Sequence, residues 1–214
     1  MTWRRSRILH AALVAALGAV VLLPSIAPAT VEEQRARLPP PTTCTDPIEG
    51  VWMSHKFNPS QADWYIFTLS IHRTAPGAAT LRGDILSHSW EGSAQDQEPP
   101  PCRPGLDHWT VAMPAVGVVE PGGIVRFGGT SWRPEQTFCG HAPRPGQYNV
   151  DHFSGTIDPA LQEFQSVNND GGRSVNDPMV FRRVRCFEPP VTPHIQVAPP
   201  PFRPATRSRG CGLS

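Results

Sequence analysis

The chain has 214 residues, 39% of them hydrophobic, with 26 prolines, 18 glycines and a formal net charge of +1. That length allows one ordinary domain or two very small ones. The near-neutral balance lacks the basic stripe that nucleic-acid binding needs, so no nucleic-acid partner is expected. A single lysine, Lys56, leaves almost no room for P-loop phosphate binding or Schiff-base catalysis.

Along the chain, Arg4, Arg5 and Arg7 form a basic start, and residues 11–23 are an uncharged apolar run. Ala27-Pro28-Ala29 then places small residues where a signal peptidase reads them. Residues 1–29 are therefore expected to be an export signal cleaved after Ala29. The alternative is an uncleaved anchor, for which the apolar run is short. Membrane contact is expected only through this segment, if it stays attached. Its removal takes three arginines and no acids, leaving 16 basic against 18 acidic side chains and a net charge of −2. The expected location is exported, periplasmic or extracellular. The final Cys-Gly-Leu-Ser mimics a prenylation box, but an exported chain never meets that machinery.

Residues 30–43 are polar and end in a run of prolines and threonines, which reads as an extended linker. Residues 188–214 hold seven prolines and no apolar periodicity, which reads as a disordered tail. The intervening 44–187 is enough for one core. Prolines and glycines interrupt every longer window, so no amphipathic helix is expected.

Eight strand-like runs are present: residues 48–56, 64–73, 80–90, 107–118, 123–132, 147–158, 162–168 and 178–187. In the second, Tyr65, Phe67, Leu69 and Ile71 alternate with Ile66, Thr68, Ser70 and His72, a period of two. Eight such runs predict an all-β fold, an eight-stranded antiparallel up-and-down barrel. The second, fourth and sixth connections are short, and the odd-numbered ones are longer. In a meander, odd and even connections lie at opposite ends, so the long loops share one end. That end is the candidate working end, because loops carry function while tight turns close strands.

The cysteines fit this layout. Cys44 precedes the first run and Cys186 ends the last, both at the tight-turn end. Cys102 and Cys139 fall in the two longest loops at the open end. Of the three pairings of four cysteines, only 44–186 with 102–139 keeps partners at one end, and bridging demands close Cα atoms. An oxidising compartment would form these bonds. Cys211 is left over, and a free thiol is favoured over an intermolecular bond.

Gly50-Val51-Trp52 resembles the Gly-x-Trp signature in the first strand of lipocalins and related calycin barrels. The resemblance implies that Trp52 packs across the closed end of the barrel beneath an arginine of the last strand. Arg182, Arg183 and Arg185 are available there, with Gly50, Trp52, Arg183 and Arg185 assigned structural roles. The chain departs from the family in having Pro159-Ala160-Leu161 where a Thr-Asp-Tyr turn belongs, and a proline-rich tail where a helix follows the barrel. It is therefore read as lipocalin-like.

At the open end, Trp64, Trp90, Trp109, Trp132, His88, His108, Tyr148 and Asp151 form the candidate ligand-binding set. An aromatic rim suits flat, apolar or amphipathic molecules. Strand parity complicates this, since inward Phe67, Ile85, Phe127 and Phe153 would turn Trp64, Trp90 and Trp132 outward. No catalytic residue is assigned. Asp107-His108 and Asp151-His152 are adjacent pairs that would face opposite sides of a strand. No metal-ligand spacing is present, so no metal or cofactor is expected. The 169–177 loop reads as an Asx/Gly turn rather than a calcium loop. The leading functional expectation is a secreted barrel binding a small apolar or amphipathic ligand. The alternatives are a partner-interaction module using the tryptophans, and an enzyme with converging His and Asp residues.

Overall fold

The computed structural model describes residues 31–172 and 174–187. The expected export signal, the tail and Cys211 lie outside them. The described chain is all-β apart from one short helix, α1 (Val31–Arg37). The strands are β1 (Gly50–Met53), β2 (Lys56–Asn58), β3 (Asp63–Arg73), β4 (Thr80–Glu91) and β5 (His108–Val119). They continue as β6 (Ile124–Gly129), β7 (Arg133–Cys139), β8 (His152–Asp158), β9 (Glu163–Asn168) and β10 (Asp177–Arg185).

Strand order runs β1-β10-β9-β8-β6-β5-β4-β3, and β3 pairs back onto β1, closing an antiparallel barrel of eight positions. β2 extends the position of β1 along β3, and β7 extends that of β6 along β5. This closed barrel is consistent with a lipocalin-like fold. The inward face is apolar at the closed end and middle: Trp52, Phe67, Leu69, Ile71, Ile85, Met113, Phe127, Phe153 and Phe181 are buried in one cluster. Period-two alternation puts that set on one side and leaves the other to solvent or a cover.

Four local expectations need correction. Residues 48–56 do not make one strand. After Met53 the ladder is interrupted, with the Ser54 amide donating to the Phe67 carbonyl and the Phe67 amide to Ser54 Oγ. Residues 123–132 end as strand at Gly129, which pairs with Ala115, so that the next residue, Thr130, meets Pro114. Proline has no N–H for the ladder, so Thr130 donates twice to the Pro114 carbonyl while the chain bends. It then resumes as β7, which was expected to be loop. Residues 147–151 are not strand, because a turn at Arg144–Gln147 and the bond from Tyr148 to Asp151 curl them over the barrel mouth.

The fourth correction is α1, inside the segment read as an extended linker. Glu32 and Glu33 in its first turn and Arg35 and Arg37 in its last complement the helix dipole. Gln34 is completely buried. Its amide donates to the Pro178 carbonyl and accepts from the Val180 amide. β1 pairs with β10 only from Arg182 onward, so one glutamine side chain substitutes for a missing strand along the seam. Arg35 and Arg182 then grip opposite oxygens of buried Glu163.

The closed end is built around Trp52 and Arg183, both 0% exposed. The guanidinium lies 4.7 Å from the indole centroid and donates to the carbonyls of Asp46 and Glu49 and to Gln162 Oε1. The indole donates to the Ile48 carbonyl. Gly50 is required here. Its φ is +140°, and a Cβ would stand 2.8 Å from the Arg185 carbonyl and 3.0 Å from Arg183 Cδ. Arg185 itself is exposed. The disulfides are Cys44–Cys186 and Cys102–Cys139, the pairing expected from shared ends. Two such bonds fit an oxidising, exported environment.

Candidate functional site

The connections 59–62, 92–107, 140–151 and 169–176 all lie at one end, and 74–79, 120–123 and 159–162 at the other. Between the first group, the barrel opens into a cavity of about 650 Å³. Its depth is set by the change from apolar to polar inward residues along each strand. On β3 the inward series climbs from Ile71 and Leu69 through Phe67 to Tyr65 and Asp63. On β4 it passes from Ile85 through Ser87 to Ser89 and Glu91, and on β5 from Met113 and Val111 to Trp109.

The cavity wall is mainly polar. Asp63, Glu91, Asp107, Asp151, Asp170 and Asp177 line it, against Lys56 and Arg144. Lys56 is buried, paired with Asp177 and also bonded to the Pro178 carbonyl. Asp170 Oδ1 accepts from the amides of Gly172 and Ser174, an Asx turn. Tyr65 donates to Asp63. Trp109, Tyr65, Phe67 and Tyr148 supply the aromatic surface.

Asp151 is the most enclosed carboxylate of the group, 5% exposed. Its oxygens accept from Tyr148 Oη at 2.6 Å and Asn168 Nδ2 at 2.7 Å. Burial pushes its pKa up to about 6, and these two hydrogen bonds limit the rise. Burial, then the neighbouring Asp151 charge, pushes the Tyr148 phenol well above its usual range. Tyr148 also carries the ring contacts that build the wall, edge-on to Trp109 at 5.6 Å and tilted against Trp132 at 5.5 Å.

Of the eight residues expected at the open end, Trp109, Tyr148 and Asp151 line the cavity and Trp132 backs the Tyr148 ring. The other four do not reach it. Trp64 and Trp90 sit opposite each other on β3 and β4, pointing away from the lumen, yet both are 0% exposed. They stack at 6.1 Å. Their indoles donate to the carbonyls of Ser93 and Asp96 in the turn that folds back over them. His55 packs on both rings, and Arg37 of α1 lies 4.9 Å from the Trp64 centroid. This is a second small core outside the barrel, and it offers no exposed tryptophan face. His88 and His108 lie beside it, bonded Nε2 to Nε2 at 2.7 Å and covered by Phe138. Burial, then the His108 neighbour, holds His88 down to about 4.

Lys56, Tyr65, Glu91, Asn168, Asp170 and Asp177 line the cavity and are not among the eight residues expected at the open end. Parity was the available signal for Tyr65, Ser89 and Trp109, which share a strand face with Phe67, Ile85 and Val111. Among the described residues, no group of three or more His, Cys, Asp or Glu is arranged to hold a metal ion. Comparisons with protein families, with curated proteins and with solved structures returned no match for this chain.

Proposed function

We propose that this chain is an exported, lipocalin-like binding barrel that holds a small amphipathic molecule in its open-end cavity. The observation that carries the reading is the cavity itself, about 650 Å³ between the long connections, with aromatic rings beside hydrogen-bonding groups. Small-molecule sites fall in the range of about 300–1,000 Å³ and combine aromatic walls with a few placed polar groups. The polar wall favours an amphipathic ligand over a purely apolar one. The closed end has no part in recognition, since Arg183 and Trp52 fill it. The tryptophans that would serve a partner-docking surface are buried at Trp64 and Trp90, which weakens that alternative. The two disulfides support a periplasmic or extracellular setting.

Mass spectrometry of the native protein and of its solvent extract tests the proposal. A co-purified small molecule that is absent from a Trp109→Ala preparation of equal fold supports it. The same molecule retained by that variant places binding elsewhere.

A further inference from the structure

We propose that the molecule bound in this cavity is an organic cation, with its ammonium group against Asp151 and its apolar portion on Trp109 and Tyr148. The inference rests on the binding reading above and names the ligand class.

Asp151 carries the argument. A carboxylate that is 5% exposed is normally paired with a cation, because burial removes the water that would stabilise its charge. Asp151 makes no ion pair among the described residues. Both of its partners, Tyr148 Oη and Asn168 Nδ2, are neutral donors. Each of its oxygens takes one of these bonds and retains capacity for another. Asp151 is also a cavity-lining residue, so a ligand can reach a carboxylate that the described residues leave without a counter-charge.

The surroundings point the same way. Among the described residues, the lysine and arginine side chains of the wall are Lys56 and Arg144, and Lys56 is committed to Asp177 and the Pro178 carbonyl. Asp170 adds negative charge close enough to act on Asp151. A cleft walled by one sign of charge concentrates the opposite ion. Trp109 and Tyr148 meet edge to face at 5.6 Å, and indole and phenol faces attract an ammonium group through their quadrupoles. A carboxylate ligand would enter against this field, and a neutral one would leave Asp151 without a counter-charge.

The test uses three matched probes on the full chain by calorimetry at pH 7.5: 2-phenylethylamine, 2-phenylethanol and 3-phenylpropionate. The expected result is binding of the amine at least tenfold tighter than the alcohol, with no detectable binding of the acid. Asp151→Asn should bring amine and alcohol to within about threefold, while Asp158→Asn, at the closed end, should leave the preference intact. The comparison on the unaltered protein decides the matter even if Asp151→Asn fails to fold. Equal binding of amine and alcohol, or tighter binding of the acid, overturns the cation assignment and leaves the binding barrel standing. No heat and no change in tryptophan fluorescence with any probe at millimolar concentration overturns both.

Discussion

Replacing Trp52 by alanine should remove the floor of the barrel. The indole is completely buried, donates from Nε1 to the Ile48 carbonyl at 2.9 Å, and lies under the Arg183 guanidinium at 4.7 Å. Truncating a buried tryptophan costs about 3–5 kcal/mol through lost transfer energy and the cavity left behind. The stranded Ile48 carbonyl adds about 1–3 kcal/mol. Loss of the ring beneath a desolvated guanidinium adds about 2 kcal/mol more. The total is comparable with the whole stability of a domain, about 5–15 kcal/mol. Trp52→Ala should therefore be unfolded, or nearly so, even with Cys44–Cys186 holding the ends together. Urea denaturation followed by far-UV circular dichroism measures this, with Trp109→Ala as the control. Trp109 is partly exposed and lines the cavity, so its loss should impair ligand retention while costing far less stability. If Trp52→Ala denatures within about 1 kcal/mol of the unaltered protein, the closed end does not rest on this stack and the reasoning fails.

Three further outcomes are expected. Asp151 has its pKa raised from 3.8 to about 6 by burial, so its contribution favours folding below the unfolded value and is lost as pH rises through the folded one. The shift amounts to about 3 kcal/mol between pH 4 and pH 8. Asp151→Asn should flatten the pH dependence of urea stability by that order, and an unchanged slope would show that the carboxyl is not desolvated. Gln34→Ala leaves the buried Val180 amide without its acceptor and should cost about 2 kcal/mol, with faster hydrogen exchange at Val180. Protection unchanged at that amide would mean that α1 does not seal the seam. Removing Cys44–Cys186, with a separation of 142 residues, should cost about 1 kcal/mol more than removing Cys102–Cys139, with 37. Melting of the two double-serine variants ranks them, and the reverse order would contradict the loop-entropy account.

Much of the architecture was legible without coordinates, because it depends on short-range regularities. Period-two alternation in 64–73 marks a strand with one buried face wherever its partners lie. The alternation of short and long connections separates the two ends of a meander by topology alone. The disulfide pairing followed from the same topology, since bridged cysteines must share an end. What escaped was set by contacts between distant segments. Gln34 finds Val180 across 146 positions, and nothing in residues 30–43 announces that a sheet seam elsewhere lacks a strand. The break after Gly129 depends on Pro114 meeting Thr130, which only register reveals. Parity turned Trp64 and Trp90 outward, but outward became buried once the 93–96 turn and α1 closed over them. The acidic wall arises in the same way: its six carboxylates come from strands and loops spread between residues 63 and 177. Alternation dictates which side of a strand a residue takes. Only closure of the barrel decides which charges face one another across the lumen, and which of them, like Asp151, has no ion pair among the described residues.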